Sequence, residues 1–157
     1  MKKILIISVA IIVIGGFYLF LLSQISESIS IELNQQEYQS NDTITPIIKN
    51  SNKKSVWYRP GCANPSWGLE QFIDSEWKSI YLKEQSGNSC VNPLCAPAIF
   101  ELHPDEIIKE SIQINNICVN SKPGGLSLGR YRIRFRYSHE KSFRKENIIY
   151  SKPFEIK

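Results

Sequence analysis

The feature that most constrains this chain is a run of nineteen residues without a charged side chain, from Ile4 to Leu22. As an α-helix, this run would span roughly 28 Å, close to the thickness of the hydrocarbon layer of a bilayer. A cleavable secretory signal usually has a shorter apolar core, of about 7 to 15 residues. The run therefore predicts a retained transmembrane helix, or signal anchor, within residues 1–27. Secretion after cleavage near Ser26-Glu27-Ser28 is the alternative.

The basic residues around this run predict its orientation. Lys2 and Lys3 precede it, and the next basic residue after it is Lys49. Positive charge next to a membrane span is retained in the cytoplasm. We therefore expect a cytoplasmic N-terminus in a single-pass protein of the cell membrane, with residues 28–157 forming one extracytoplasmic domain.

Four cysteines follow the apolar run, and all of them lie in the predicted exported part: Cys62, Cys90, Cys95 and Cys118. An even number of cysteines in an oxidising compartment predicts two disulfides, and the sequence leaves all three pairings open. The alternative is a structural zinc site. The sequence disfavours it, because Cys62 and Cys118 form no second close pair beside Cys90 and Cys95. We expect no metal and no cofactor.

The exported part has the pattern of an all-β domain, in which short alternating segments are separated by turn residues. Strands are predicted at Ser28–Leu33, Thr43–Lys49, Ser55–Tyr58, Trp67–Ile73, Trp77–Leu82, Ile99–Leu102, Ile107–Ile114, Tyr131–Tyr137 and Ile148–Ile156. Pro46 predicts an edge strand or a bulge, because proline cannot donate to a β-ladder. The links 83–98 and 115–128 are predicted to be long loops held by disulfides. A sandwich or a barrel would accommodate this pattern.

Several short motifs in the exported part resemble those of bacterial immunoglobulin-like domains of surface proteins. They are Tyr38-x-x-Asn41-Asp42 before Ile44–Asn50, Leu69-Glu70 with Trp77, Phe100-Glu101-Leu102-x-Pro104-Asp105-Glu106, and Gly129-Arg130-Tyr131-Arg132-Ile133. Asp105 occupies the position where that family usually has glycine. The resemblance implies an immunoglobulin-like β-sandwich of about seven to nine strands. It implies little about function, since such sandwiches serve in adhesion, inhibition and assembly alike.

Alternation in the segment 129–137 predicts a core face and a charged face. Tyr131, Ile133, Phe135 and Tyr137 would point inward, and Trp57, Trp67 and Trp77 would fill the space between two sheets. The opposite face would carry Arg130, Arg132, Arg134 and Arg136. Residues 129–157 hold nine basic and three acidic side chains, so this face is a candidate site for an anionic lipid, an envelope polymer or an acidic protein partner. The alternative is a neutralised sheet face, with Glu70 and Glu155 available as partners.

No catalytic constellation is evident in the sequence, so we predict a protein that is not an enzyme. His103 and His139 have no neighbouring nucleophile, and an exported cysteine is expected to be oxidised rather than reactive. Nucleic acid is not an expected partner outside the cell. The leading hypothesis is a membrane-anchored extracytoplasmic interaction module. An inhibitor of exported proteases and a small exported hydrolase are the alternatives.

Overall fold

The computed structural model describes residues 29–60, 66–86, 89–91, 98–120 and 122–157, with the backbone alone described for 84–86 and 89–91. All regular secondary structure in these residues is β, which confirms the predicted all-β class. The predicted membrane helix, Cys62, Cys95 and the side chain of Cys90 lie outside the described part. Among the described residues, no helix is long and apolar enough to cross a membrane.

The described residues contain seventeen short strands. They are β1 (Ile29–Glu32), β2 (Glu37–Tyr38), β3 (Thr43–Ile44), β4 (Ile47–Asn50), β5 (Val56–Tyr58), β6 (Trp67–Ile73), β7 (Glu76–Ile80), β8 (Leu82–Ser86), β9 (Ser89–Val91), β10 (Phe100–Leu102), β11 (Ile107–Lys109), β12 (Ile112–Gln113), β13 (Ile117–Val119), β14 (Lys122–Pro123), β15 (Gly129–Tyr137), β16 (Asn147–Tyr150) and β17 (Phe154–Ile156).

The largest sheet has six strands and is built around β15. Its order is β2-β17-β15-β6-β7, and β16 pairs with β15 beyond β17. The predicted hairpin of β6 and β7 is confirmed, with Phe72 opposite Trp77. β16 and β17 follow one side of β15 as a single interrupted strand, and β2 runs parallel to β17. This sheet presents the arginine-rich side of β15.

A second, three-stranded sheet has the order β1-β4-β11. The short pair β3 and β12 continues the β4–β11 ladder beyond a break at residues 45–46 and 110–111. The break contains Pro46, whose ring nitrogen carries no hydrogen to donate. The single strand predicted over Thr43–Lys49 is therefore two strands, as is the one predicted over Ile107–Ile114.

The core lies between these two sheets. Ile29 of β1 and Ile48 of β4 pack in one buried cluster with Phe135 of β15. A second buried cluster joins Ile44 of β3 to side chains of the large sheet, including Leu69 of β6. Since each sheet contributes its apolar face, the alternation that the sequence showed is explained by burial on one side only.

A third sheet is formed by the segments that were predicted to be loops. Its order is β14-β13-β8-β9, and β13 pairs with β8 through Cys118 opposite Lys83. The loop prediction was wrong here, because residues 82–86, 89–91, 117–119 and 122–123 satisfy backbone groups by pairing with one another. Ile117 and Val119 also pack against the main core.

Two turns depend on unusual backbone angles. Gly129 has φ of 145° where the chain enters β15, as its place in the sequence predicted. Asp105, at the position that resembles a family glycine, has φ of 62° and lies in the left-handed region. Its backbone N–H donates to the carbonyl of Asn50 (2.7 Å), which fixes the turn between β10 and β11 against β4.

Candidate interaction surface on the outer face of the large sheet

The outer face of the six-stranded sheet carries the candidate site. Tyr131, Ile133 and Phe135 of β15 are fully buried on its inner side. The four arginines between and beside them therefore point to the opposite side, as predicted. Opposite Arg132 on β6 is Glu70, and opposite Arg134 on β16 is Tyr150. Acidic and aromatic side chains thus lie beside the arginines.

Arg132 is the centre of this surface. Its Nε and one terminal nitrogen donate to Oε2 of Glu70 at 2.9 and 2.7 Å. Its guanidinium carbon lies 3.8 Å from the ring centre of Tyr150 and 4.4 Å from that of Trp77. A charge-assisted bond and two cation–π contacts hold the side chain in one position.

Two neighbouring arginines on β15, Arg134 and Arg136, are also ion-paired within the chain. Arg134 lies 3.5 Å from Glu70 and donates to the hydroxyl of Ser79 at 3.0 Å. Arg136 lies 3.6 Å from Glu146. Burial lowers the pKa of Arg136 below its ordinary value, and Glu146 opposes that shift. The pairs with Glu70 are those that the sequence offered as the alternative to a binding site, in which the arginines pair with acidic residues of the same sheet. The other expected partner, Glu155, contacts Lys157 instead (3.9 Å).

Arg130 differs from the other three arginines. It is exposed, its nearest aromatic contact is Phe72 at 5.9 Å, and it has no ion pair among the described residues. It lines a shallow cleft with Lys152 and Glu155 at the interruption between β16 and β17. The cleft mixes charges of both signs, so it does not favour an anion over a cation.

Large apolar side chains are exposed around the arginines. Phe72 is 39%, Ile148 49% and Tyr150 44% exposed, and the rings of Phe72 and Trp77 are 5.1 Å apart. The sequence placed Trp77 in the core, which was wrong. Its register opposite Phe72 puts it on the outer face, where it packs against Arg132 instead. The alternation of residues in β7 alone could not predict which side of the strand is buried, because β7 is mostly exposed.

A second polar group was not anticipated from the sequence. Ser55 Oγ lies 3.2 Å from Nδ1 of His103, and Glu101 Oε1 lies 3.5 Å from the same nitrogen. A catalytic triad needs the nucleophile and the acid on different ring nitrogens, so that the ring can relay a proton between them. This exposed group does not have that geometry.

Cys118 is the one predicted disulfide residue whose side chain the structure describes. It is fully buried in β13 and is disulfide-bonded. Its pairing falls outside the described side chains. Among the described residues, no three His, Cys, Asp or Glu side chains are grouped so that they could hold a metal ion.

Comparison with known protein families and with curated proteins finds no match to this chain. The fold and the surface together therefore define a class of protein: an all-β protein in which one face of a sheet exposes arginine and aromatic side chains. A more specific assignment depends on the chemistry of that face.

Proposed function

We propose that this protein is a membrane-anchored, extracytoplasmic interaction module, not an enzyme, which binds a protein partner through the outer face of its large sheet. One observation carries the proposal: the exposed aromatic and aliphatic side chains of this face surround arginines that are already ion-paired with Glu70 and Glu146. Exposed apolar patches of this kind mark sites of protein association. Arg, Trp and Tyr are the residues that most often dominate the energy of such interfaces.

The paired charges favour a protein over an anionic polymer. A polyanion would have to compete with Glu70 for Arg132 and Arg134, and with Glu146 for Arg136. A protein surface can instead cover Phe72, Ile148 and Tyr150 and leave those ion pairs in place. Interfaces of this kind need no net charge, because burial of apolar area contributes most of the affinity.

We also propose that the domain is an immunoglobulin-like sandwich. The strand order supports this: β1, β4 and β11 form one sheet, while β15 lies between β17 and β6, with β7 beyond, in the other. Immunoglobulin-like domains divide their strands between two sheets in this way. Tyr131, near the start of β15, donates from its hydroxyl to the carbonyl of Ser127 at 2.7 Å. That contact resembles the tyrosine corner of such sandwiches.

Anchoring and export are supported by the sequence and by Cys118. The uncharged run Ile4–Leu22 is long enough to span a bilayer. A buried disulfide at Cys118 suits an oxidising compartment. We propose that all four cysteines form two disulfides there.

Site-specific photocrosslinking in intact cells tests the proposed surface. A benzoylphenylalanine at Tyr150 or Ile148 should give a discrete adduct with a protein. The matched control is the same probe at Ile107, which is 45% exposed on β11 of the other sheet. Adding Ile148→Glu to the Tyr150 probe should reduce the adduct at least about tenfold, because a charge would be buried at the interface. The proposal fails if the Ile107 probe gives the same adduct or if the outer-face probes give none.

A further inference from the structure

One end of the domain collects its basic loops beside the start of β1, and we call it the proximal end. It consists of residues 51–59, 103–106 and 136–146. Ile29, the first residue of β1, pairs with Asn50 of β4. Asn50 is fully buried and donates from its side chain to the carbonyls of Lys54 and Leu102. The loop after β4 and the turn after β10 are therefore fixed to the point where β1 begins.

The segment 136–146 is brought to the proximal end by its bridge with β5. Trp57 and Ser138 exchange two backbone hydrogen bonds, of 2.8 and 3.0 Å, in an antiparallel bridge. Because the chain in β5 runs away from the loop 51–55 and the bridge is antiparallel, the chain beyond Ser138 runs toward that loop. Lys141 lies over the ring of Trp57 at 5.4 Å, and Arg59 lies over Phe143 at 4.2 Å.

The proximal end contains the whole net charge of the domain. Its three segments hold seven Lys and Arg side chains and four Asp and Glu side chains, an excess of three positive charges. The remaining residues from Ile29 onward hold ten of each sign. The molecule is therefore a dipole whose positive end is the end where β1 begins.

The basic side chains at this end are accessible, whereas most of the acidic ones are engaged. Lys54, Lys141, Arg144 and Lys145 are exposed, with no carboxylate partner among the described residues. Glu146 is shared by Arg59 and Arg136, Glu106 accepts the backbone N–H of His103, and Glu140 accepts the hydroxyl of Ser142. Among the described residues of the proximal end, Asp105 is the acidic residue whose carboxylate makes no such contact.

We propose that the proximal end rests on the anionic phospholipid head groups of the bilayer that holds residues 1–27. The inference rests on the proposed anchor and goes beyond it by assigning an orientation. The apolar run ends at Leu22 and β1 begins at Ile29, so six residues, at most about 20 Å of extended chain, separate them. A tether of this length keeps the basic loops close to the bilayer, and anionic head groups attract them where they come within the Debye length, about 8 Å at physiological salt.

Amide hydrogen exchange of the full chain in nanodiscs tests this orientation. Nanodiscs of phosphatidylcholine alone are compared with nanodiscs containing roughly a third phosphatidylglycerol. In the anionic discs, residues 51–55 and 139–146 should exchange at least about fivefold more slowly, the effect expected of one basic side chain near such a surface. Residues 39–42 and 74–75, in turns far from the proximal end, should not change. About 1 M salt should remove the protection, because it shortens the Debye length to about 3 Å.

Two variants of equal charge provide the control. K54S/K141S/R144S/K145S should lose the protection, and K78S/K109S/K122S/K152S, which removes four lysines elsewhere on the domain, should keep it. Equal exchange in both kinds of disc, with the chain still resistant to alkaline carbonate extraction, overturns the orientation and leaves the anchor standing. Extraction of the chain by carbonate overturns the anchor and the orientation with it.

Discussion

At the scale of single residues, the decisive group is the carboxylate of Glu70. Its side chain is 8% exposed and lies within 3.5 Å of Arg132 and Arg134. Two partly buried arginines share this one buried carboxylate, and removing it would leave both without their counter-charge. The pairing of two arginines of the outer face, and the fixed position of the Arg132 guanidinium between two rings, therefore depend on this one residue.

Replacing Glu70 with glutamine should destabilise the domain by about 2 to 3 kcal/mol, because two half-buried arginines would lose their counter-charge. Urea unfolding of the full chain in detergent, followed by circular dichroism, measures the change. The control is Asp74→Asn, which removes an ion pair with Lys78 whose Asp74 side chain is 81% exposed. That variant should unfold like the wild type, because exposed pairs contribute little. Equal effects of the two substitutions would contradict the role given to Glu70.

Glu110 provides a test that depends on pH. Burial raises the pKa of its carboxyl above the ordinary value. Because the folded-state pKa is raised, the protonated form stabilises the fold at low pH, and that contribution is lost as pH rises through the folded-state pKa. Glu110→Gln should therefore raise the melting temperature at pH 7 and leave it nearly unchanged near pH 4. Glu76→Gln, on exposed β7, is the control. An equal gain at both pH values would refute the explanation.

At the scale of elements, the third sheet depends most on covalent chemistry. β8, β9, β13 and β14 are short strands, and Cys118 is a fully buried, disulfide-bonded residue in β13. Short paired segments bury little apolar surface of their own, so they gain most from a cross-link that restricts the unfolded chain. Removing a native disulfide typically costs about 2 to 5 kcal/mol.

Reduction should therefore open the third sheet before the large one. Amide exchange of the full chain in a strong phosphine reductant should accelerate in 82–86 and 117–119. Residues 131, 134 and 135 of β15, which pair on both sides, should stay protected at the same time point. Uniform acceleration of all strands would mean that the disulfide stabilises the whole domain instead.

The elements also show how far local pattern determines the fold. Gly129–Tyr137 and the hairpin of β6 and β7 could be predicted, because one buried face imposes strict alternation and a turn separates the two strands. The third sheet could not, since β8 pairs with β13 more than thirty residues along the chain and neither strand alternates clearly. The side on which Trp77 lies depended on register with Phe72, and the pairing of Arg132 with Glu70 depended on contact between distant strands.

At the scale of the whole molecule, the two surfaces meet at Arg136 and otherwise lie on different sides of the domain. The proximal end holds the basic loops, whereas the outer face extends along the length of β15, from Arg130 to Arg136. If the proximal end rests on the bilayer, as proposed, the strands of the large sheet stand away from the membrane and their outer face points sideways. A partner on that face would then be another protein held in the same membrane.

This arrangement predicts the effect of lengthening the tether. Inserting a flexible linker of twelve Gly and Ser residues after residue 28 would give the domain a root-mean-square reach of about 20 Å from its anchor. The effective concentration of the outer face at a partner fixed in the same membrane would fall, since it decreases with the reach of the tether. The adduct of the Tyr150 probe should therefore decrease several-fold, although the face itself is unchanged.

A linker of the same length added after Lys157 is the control and should leave the adduct unaltered, because it does not separate the domain from its anchor. If the linker after residue 28 has no effect, the partner is free to diffuse to the domain and the lateral arrangement is wrong. If the adduct is lost with both linkers, the linker sequence itself interferes, and the comparison would exclude tether length as the cause.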